Sequence, residues 1–324
     1  LKVAVVGAGV AGLGAARTLT EHGHEAVVLE KASRVGGRVS TVRIDGYVFD
    51  SGATSISPDN TPLATLMRET LDHSDLVEIT KPVNVHTVDR IVHGDPARGG
   101  HRFAYGKGID ELPRLLAHGL DVHLNTRVEK ITREDHHYRV GDDLYDAVIV
   151  TAPLPQAIEL VGTVRPALGP GRATHRSCIS VMLGFEEALE TPHFATVNPD
   201  QNLPMVWLSV ESVKSPGRAP EGCTAMVAQM GPAYSRYGFH YDDERIVRET
   251  LVDVSRIYGM RFAKPVVTQV KRWKFSQPEI TVAPESVNPA GSRVIIAGDG
   301  VSIGRIEQAY LSGVHAAQRL GDLK

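Results

Sequence analysis

The sequence predicts an α/β chain in two parts: a parallel sheet wound with helices, interrupted by an inserted α+β part built on an antiparallel sheet. Three observations carry that expectation. Residues 3–6 form a short apolar run that ends in Gly7, and Gly9 and Gly12 complete a G-x-G-x-x-G leading into a helical stretch at 11–22. A second apolar run, 26–29, ends in Glu30, 23 residues after Gly7. Far down the chain, residues 179–185, 205–210 and 224–230 read as strands. Residues 242–258 then place Ile246, Val247, Thr250, Leu251, Val254, Ile257 and Tyr258 on one helical face, so a second core is expected.

The opening stretch has a chemical reading residue by residue. Gly7 lets the chain turn out of the strand. Gly9 has no side chain to hold the backbone away from a pyrophosphate, and Gly12 allows close helix–strand packing. The helix that starts near Val10 and Ala11 aims unpaired N–H groups and the positive end of its dipole at phosphate. A carboxylate at Glu30 can accept both hydroxyls of an adenosine ribose and would repel a 2′-phosphate. The pattern predicts a Rossmann-like dinucleotide site for NAD or FAD.

Composition excludes several classes. The 324 residues exceed what one core usually organises, so two domains are expected. Lys plus Arg is 35 and Asp plus Glu is 38, a balance that points to neither nucleic acid nor an anionic membrane. The two cysteines, Cys178 and Cys223, make no C-x-x-C and read as small buried hydrophobes. No Cys/His cluster has metal-ligand spacing. The first strand opens the sequence and nothing resembles a signal peptide or a run of about 18 apolar residues, so the expectation is cytoplasmic.

Residues 31–41 decide between the two dinucleotides. They read K-A-S-R-V-G-G-R-V-S-T and, with the opening fingerprint, resemble the flavoprotein amine oxidase superfamily of monoamine and polyamine oxidases, protoporphyrinogen oxidase and renalases. The resemblance implies a GR2-type flavoprotein with noncovalent FAD; a cysteine link near the C-terminus is ruled out, since the last cysteine is Cys223. It implies that Lys31, Arg34, Gly36, Gly37 and Arg38 help hold FAD. It also implies that Gly52 and Ala53 of the D-x-G-x stretch pass the isoalloxazine ring and that Val128 touches the adenine region. Thr151 and Ala152 end a strand of the FAD domain, Asp299 of A-G-D serves the ribityl–phosphate portion, and the backbone of Arg305 and Ile306 faces the pyrimidine end of the ring. Two adjacent glycines exposing N–H groups beside an arginine suit a phosphate on chemical grounds as well.

Taken in order, 43–49 reads as a hairpin turning at Gly46, and 62–71 as a helix capped by Asn60 or Thr61. Residues 76–80, 83–88 and 90–93 read as consecutive strands with turns at 81–82 and 94–96. Residues 103–112 lead into a helix through His118 with Asp110 as its cap. Strands follow at 121–124, 138–140 and 144–150, with His136 and His137 in a polar turn. A Pro/Gly cluster at 166–171 reads as a linker and 214–218 as a turn. A strand at 266–274 leads back to the buried strand of 293–299 and a last helix at 306–320, whose Ala309, Gly313, Ala316 and Ala317 suit close packing. The expected division is 1–75, 103–158 and 288–324 for FAD, and 76–102 and 159–287 for substrate.

Three further stretches resemble the renalase-like branch: G-R-I-E-Q-A-Y-L-S-G at 304–313, W-L-S-V-E-S-V-K-S-P-G-R at 207–218, and R-W-K-F-S-Q-P at 272–278. The lysine that amine-oxidising members place in the first strand of the substrate domain is missing; Ser180 falls near its position, and no lysine lies between Lys130 and Lys214. What the resemblance implies is removal of a hydride from a small reduced substrate, dihydro-NAD(P) isomers included, with O2 as acceptor. Amine oxidation, porphyrinogen or carotenoid-type desaturation, and a non-catalytic FAD-binding role are the alternatives. An anionic dinucleotide substrate asks for cations at the cleft mouth, and Lys214, Arg218, Arg236 and Arg272 are the candidates. Trp273 and Tyr310 are the candidate aromatics beside the ring.

Overall fold

The computed structural model describes residues 1–57, 61–87, 91–92, 94, 102–165 and 174–322. Asn60, the strand ends at Val88, Arg90 and His93, the turn at Asp95 and Pro96, and the linker of 166–171 lie outside them.

Five strands form a parallel sheet: β1 (Lys2–Val6), β2 (Glu25–Leu29), β9 (Asp121–His123), β13 (Ala147–Val150) and β19 (Val294–Ile296), in spatial order 19-13-1-2-9. All but the edge strand β9 are mainly apolar runs, because both faces are covered. One face packs on helices α1 (Val10–Glu21), α3 (Glu111–Ala117) and α9 (Ile306–Gly321), through Leu13, Ala16, Leu116, Ala317 and Leu320 among others. The other packs on α4 (Leu154–Gly162) and on the antiparallel sheet of β10 (Ile131–Glu134), β11 (His137–Val140) and β12 (Asp143–Tyr145). Gly313 of α9 is where α1 comes closest: a Cβ there would lie 1.9 Å from Ala11 O.

The second large sheet has order β18-β14-β17-β16-β15-β6-β7. Its members are β6 (Val83–His86), β7 (Ile91–Val92), β14 (Thr174–Phe185), β15 (Ala195–Val197), β16 (Met205–Val210), β17 (Thr224–Met230) and β18 (Val267–Ile280). All pairings are antiparallel except β15 with β6. On one face lies the amphipathic helix α7 (Asp243–Tyr258), capped by Asp242, whose carboxylate accepts from Arg245 N. Ile246 and Val254 of α7 meet Ile179, Val181 and Leu183 of β14 there. On the other face, Met182, Ala225 and Val227 meet Tyr47 and Phe49 of the hairpin β3 (Thr41–Ile44) and β4 (Tyr47–Asp50).

Several local expectations need correction. The strand at 76–80 does not join the next two: β5 (Leu76–Ile79) pairs with β8 (Arg102–Tyr105), a strand not foreseen. The run at 144–150 is two strands in different sheets, split at Asp146. The stretch at 62–71 is α-helical only as α2 (Pro62–Thr65), capped by Thr61, before a wider π-type turn at Leu66–Thr70. Asp110 precedes α3 without capping it, because its carboxylate is taken by Arg43 and Arg114. The turn at 214–218 begins inside a short helix, α5 (Glu211–Lys214); the remaining short helices are α6 (Pro232–Tyr237) and α8 (Pro284–Val287). His137 lies in β11 rather than in a turn.

Candidate active site

A cleft of about 1240 Å³ runs from the carboxyl ends of the parallel strands to the face of the seven-stranded sheet. Such ends are where open α/β sheets bind ligands. Its inner end is backbone. Gly9 lines it, and a Cβ at Gly9 would meet nothing within 4 Å, whereas one at Gly12 would lie 1.9 Å from Gly7 O. Gly9 therefore leaves room for a ligand, and Gly12, which does not line the cleft, closes the turn behind it. The glycine pair is bonded to this loop, since Gly36 N donates to Ala8 O at 2.8 Å, and Gly37 lines the cleft beside Gly9. The first turn of α1 has no side-chain cap, so its N–H groups remain available to an anion.

Glu30 stands at the end of β2 and is nearly buried. Its Oε2 accepts from Ala8 N and its Oε1 from Ala32 N, each at 2.8 Å, which fixes the carboxylate in the cleft wall with lone pairs to spare. Lys31, Val128, Thr151 and Ala152 border the same end, and Thr151 Oγ1 donates to Val6 O and Gly7 O. Farther along, Arg38 makes a two-pronged pair with Asp299 at 2.6 and 2.8 Å and donates to Ser276 O. Burial opposes the charge on Asp299, but the neighbouring His175 and Arg38 outweigh it and hold the carboxyl well below the ordinary range.

At the junction of the two sheets, Gly52 is forced. A Cβ there would lie 1.9 Å from Arg38 O and 3.3 Å from the Trp273 ring. Ala53 N donates to Arg38 O, Gln229 Nε2 to Gly52 O, and Trp273 Nε1 to Ser51 O at 2.9 Å. Arg305 and Ile306 line the cleft at the start of α9, again without a side-chain cap. Two residues of the stretch 304–313 hold neighbouring backbone: Glu307 Oε1 accepts from Ser57 N, and Ser312 Oγ from Gly298 N.

Residues 10–98 and 92–321 match the family model of flavin containing amine oxidoreductases. The chain belongs to this family. By that family's description it is a flavin-containing oxidoreductase. Among solved structures it is similar to a proposed protoporphyrinogen oxidase from Exiguobacterium sp. 255-15, with TM-score 0.82 and 19% identity over 100% of this chain and 99% of that one. It is also similar to cyclohexylamine oxidase from Brevibacterium oxydans IH-35A, with TM-score 0.79 and 14% identity over 99% of each chain. A curated relative, the 4,4'-diapophytoene desaturase of Staphylococcus aureus, is 46% identical over 56 residues, 17% of this chain and 11% of that protein. The fit to FAD rests on features of this chain: an open space at Gly9, two uncapped helix starts, a carboxylate fixed in the cleft wall at the end of β2 and an arginine at the glycine pair.

The flavin amine oxidoreductase fold relocates the expected substrate cations. Lys214 and Arg218 do not reach the cleft. Both side chains are fully buried in a quartet with Asp50 and Glu211, with N–O distances of 2.6–2.8 Å. Lys214 also donates to Thr54 O and Arg218 to Tyr105 O. Burial alone would raise the Asp50 pKa, but Lys214 and Arg218 outweigh it and lower it. Arg272 borders the cleft, but its guanidinium donates to Phe239 O and Tyr241 O and pairs with Asp243. Arg236 is exposed and does not line the cleft. Tyr310 is buried against Gly14 in the α1–α9 core, so it is not a ring-side aromatic. Cys178 does border the cleft, where burial pushes its thiol up to about 11, which keeps it protonated and unreactive at neutral pH.

The residue that sequence reasoning missed is Lys271. It pairs in register with Ser180, and Ser180 with Gln229, so one row crosses β18, β14 and β17, and its two ends, Lys271 and Gln229, line the cleft. A lysine is thus supplied from the strand next to the one searched. The available signal was the alternation of 271–275, which puts Lys271 and Trp273 on one side.

Proposed function

We propose that this flavoenzyme removes a hydride from a small, negatively charged reduced heterocycle of the kind taken by renalase-like enzymes, dihydro-NAD(P) isomers among them, with O2 as the final acceptor. One observation carries the choice of substrate. Among the described residues, the seven-stranded sheet and its connecting loops contribute Arg176, Lys271 and Lys274 to the cleft, beside the Asp243-paired Arg272, and no carboxylate of theirs lines it. Of the carboxylates lining the cleft, Glu30, Glu129, Asp299 and Glu307 come from the FAD-side segments, and Glu159 from α4, which packs on the parallel sheet and not on the seven-stranded one. A cationic amine meets no counter-charge on the sheet wall, and an anion does.

Bound FAD supplies the hydride acceptor and the reaction with O2. The protein binds and orients: Trp273 and Gln229 fix the Ser51–Gly52 backbone, and the sheet wall holds the substrate against it. In this reading 1–75, 103–158 and 288–324 carry FAD, and 76–102 and 159–287 carry substrate.

The test is anaerobic flavin bleaching with 2- and 6-dihydroNAD(P), benzylamine and a porphyrinogen, followed by reoxidation in air. Bleaching by the dihydronucleotides, slowed by added salt, is expected. Fast bleaching by benzylamine alone would remove the anionic-substrate reading.

A further inference from the structure

We propose that Lys271 and Arg34 form an anion subsite in the cleft wall, and that Lys271 sets a preference for negatively charged substrates. The preference rests on the functional reading above; the subsite rests on geometry.

Lys271 is half-buried on β18. Its Nζ lies 3.3 Å from Ser40 Oγ and 4.2 Å from the centroid of the Trp273 ring. Arg34 donates to the same hydroxyl, at 3.2 Å, and to Thr41 O. Both cations line the cleft, and Ser40 itself is buried behind them. Among the described residues, neither makes an ion pair with a carboxylate. Two positive groups therefore share one neutral oxygen, Lys271 with the ring face besides, and they repel each other.

Burial, with Arg34 adding to it, lowers the Lys271 pKa to about 8. The amine is still mainly protonated at neutral pH, with hydrogen-bonding capacity left over. A desolvated ammonium without a carboxylate is relieved either by losing its proton or by gaining an anion. An anion in the cleft would satisfy both cations together. Ser180, fully buried with an unpartnered hydroxyl, stands opposite Lys271 in register and adds polarity to the same row.

The experiment is calorimetric titration of FAD-loaded wild type, Lys271→Met and Lys271→Arg with benzoate, and with benzamide as an uncharged probe of similar shape. FAD content and thermal stability are measured on each variant. Benzoate is expected to bind wild type at pH 7. Its affinity should fall about tenfold or more in Lys271→Met and be largely kept in Lys271→Arg. In wild type it should decline as pH rises through about 8, where Lys271 loses its proton, and stay flat in Lys271→Arg. Benzamide should bind all three alike.

No benzoate binding to wild type, equal benzoate affinity in Lys271→Met, or a parallel loss of benzamide would overturn the subsite. So would loss of FAD from Lys271→Met with benzoate affinity unchanged, which would assign the charge to the cofactor's phosphates. Bleaching by benzylamine in place of dihydronucleotides would overturn the preference alone, whatever benzoate does.

Discussion

Lys214 and Lys271 are the same side chain in opposite settings. Lys214 is fully buried between Asp50 and Glu211, beside Arg218, with every charge compensated. Lys271 is half-buried between a serine hydroxyl and an indole, with another cation nearby. The first arrangement fastens the segment Asp50–Thr54 to the substrate-side strands, because Lys214 bonds both Asp50 and Thr54 O. The second leaves charge for something outside the protein. Partnering, more than burial, separates a structural cation from a ligand-binding one.

The largest effect expected from this contrast is on stability. Lys214→Met leaves two buried carboxylates sharing one arginine and should cost about 3–5 kcal/mol, the range for breaking a buried pair. Chemical denaturation of Lys214→Met and Lys271→Met side by side measures it. Equal losses in the two variants would break the comparison.

A carboxylate held by backbone amides makes an intermediate case. Glu30→Ala should weaken FAD binding by about 1.5–3 kcal/mol with the fold retained. An unchanged FAD dissociation constant would show that Glu30 does not hold the ribose.

Acid should act on the compensated groups. Asp50 and Asp299 have folded pKa values below the ordinary 3.8, so between the folded and unfolded values the unfolded chain binds more protons. Their contribution is present above about pH 4 and lost as pH falls through the folded values. Asp299→Asn should lower stability at neutral pH and shallow that acid limb. A denaturation midpoint with the wild-type acid slope would count against the Arg38–Asp299 pair.

The smallest effect is in alkali and has the opposite origin. Lys271 is lowered to about 8 from 10.5, so between these values the unfolded chain again holds more protons and stability rises with pH. Lys271→Met should therefore be no less stable than wild type below pH 8, with wild type gaining stability and approaching the variant above that. A clear loss of stability in Lys271→Met at pH 7 would mean that Ser40 and the Trp273 ring already compensate the ammonium within the fold.

What could be read directly from the chain was contiguous. The turn through Gly7, Gly9 and Gly12, the acid at Glu30 and the pair Gly36–Gly37 do their work with neighbouring backbone, so spacing along the sequence is spacing in the site. The face of α7 was legible because its period of 3.6 residues is local too. Among the elements that escaped the reading, Ile131–Glu134 and Arg102–Tyr105 are short strands with charged ends, and Leu154–Gly162 starts at prolines that look like a break but suit a helix's first turn.

The destiny of the charges lay beyond the sequence. Arg218 reaches Asp50 across 168 positions, and Lys271 meets Ser40 across 231. Neither partner is implied by any local pattern. Which lysine is neutralised in the wall and which faces the cleft depends on strand register and on how the β3–β4 hairpin seats against the seven-stranded sheet. Electrostatic roles follow from distance in space and from the water excluded around a group, and only the folded chain sets those.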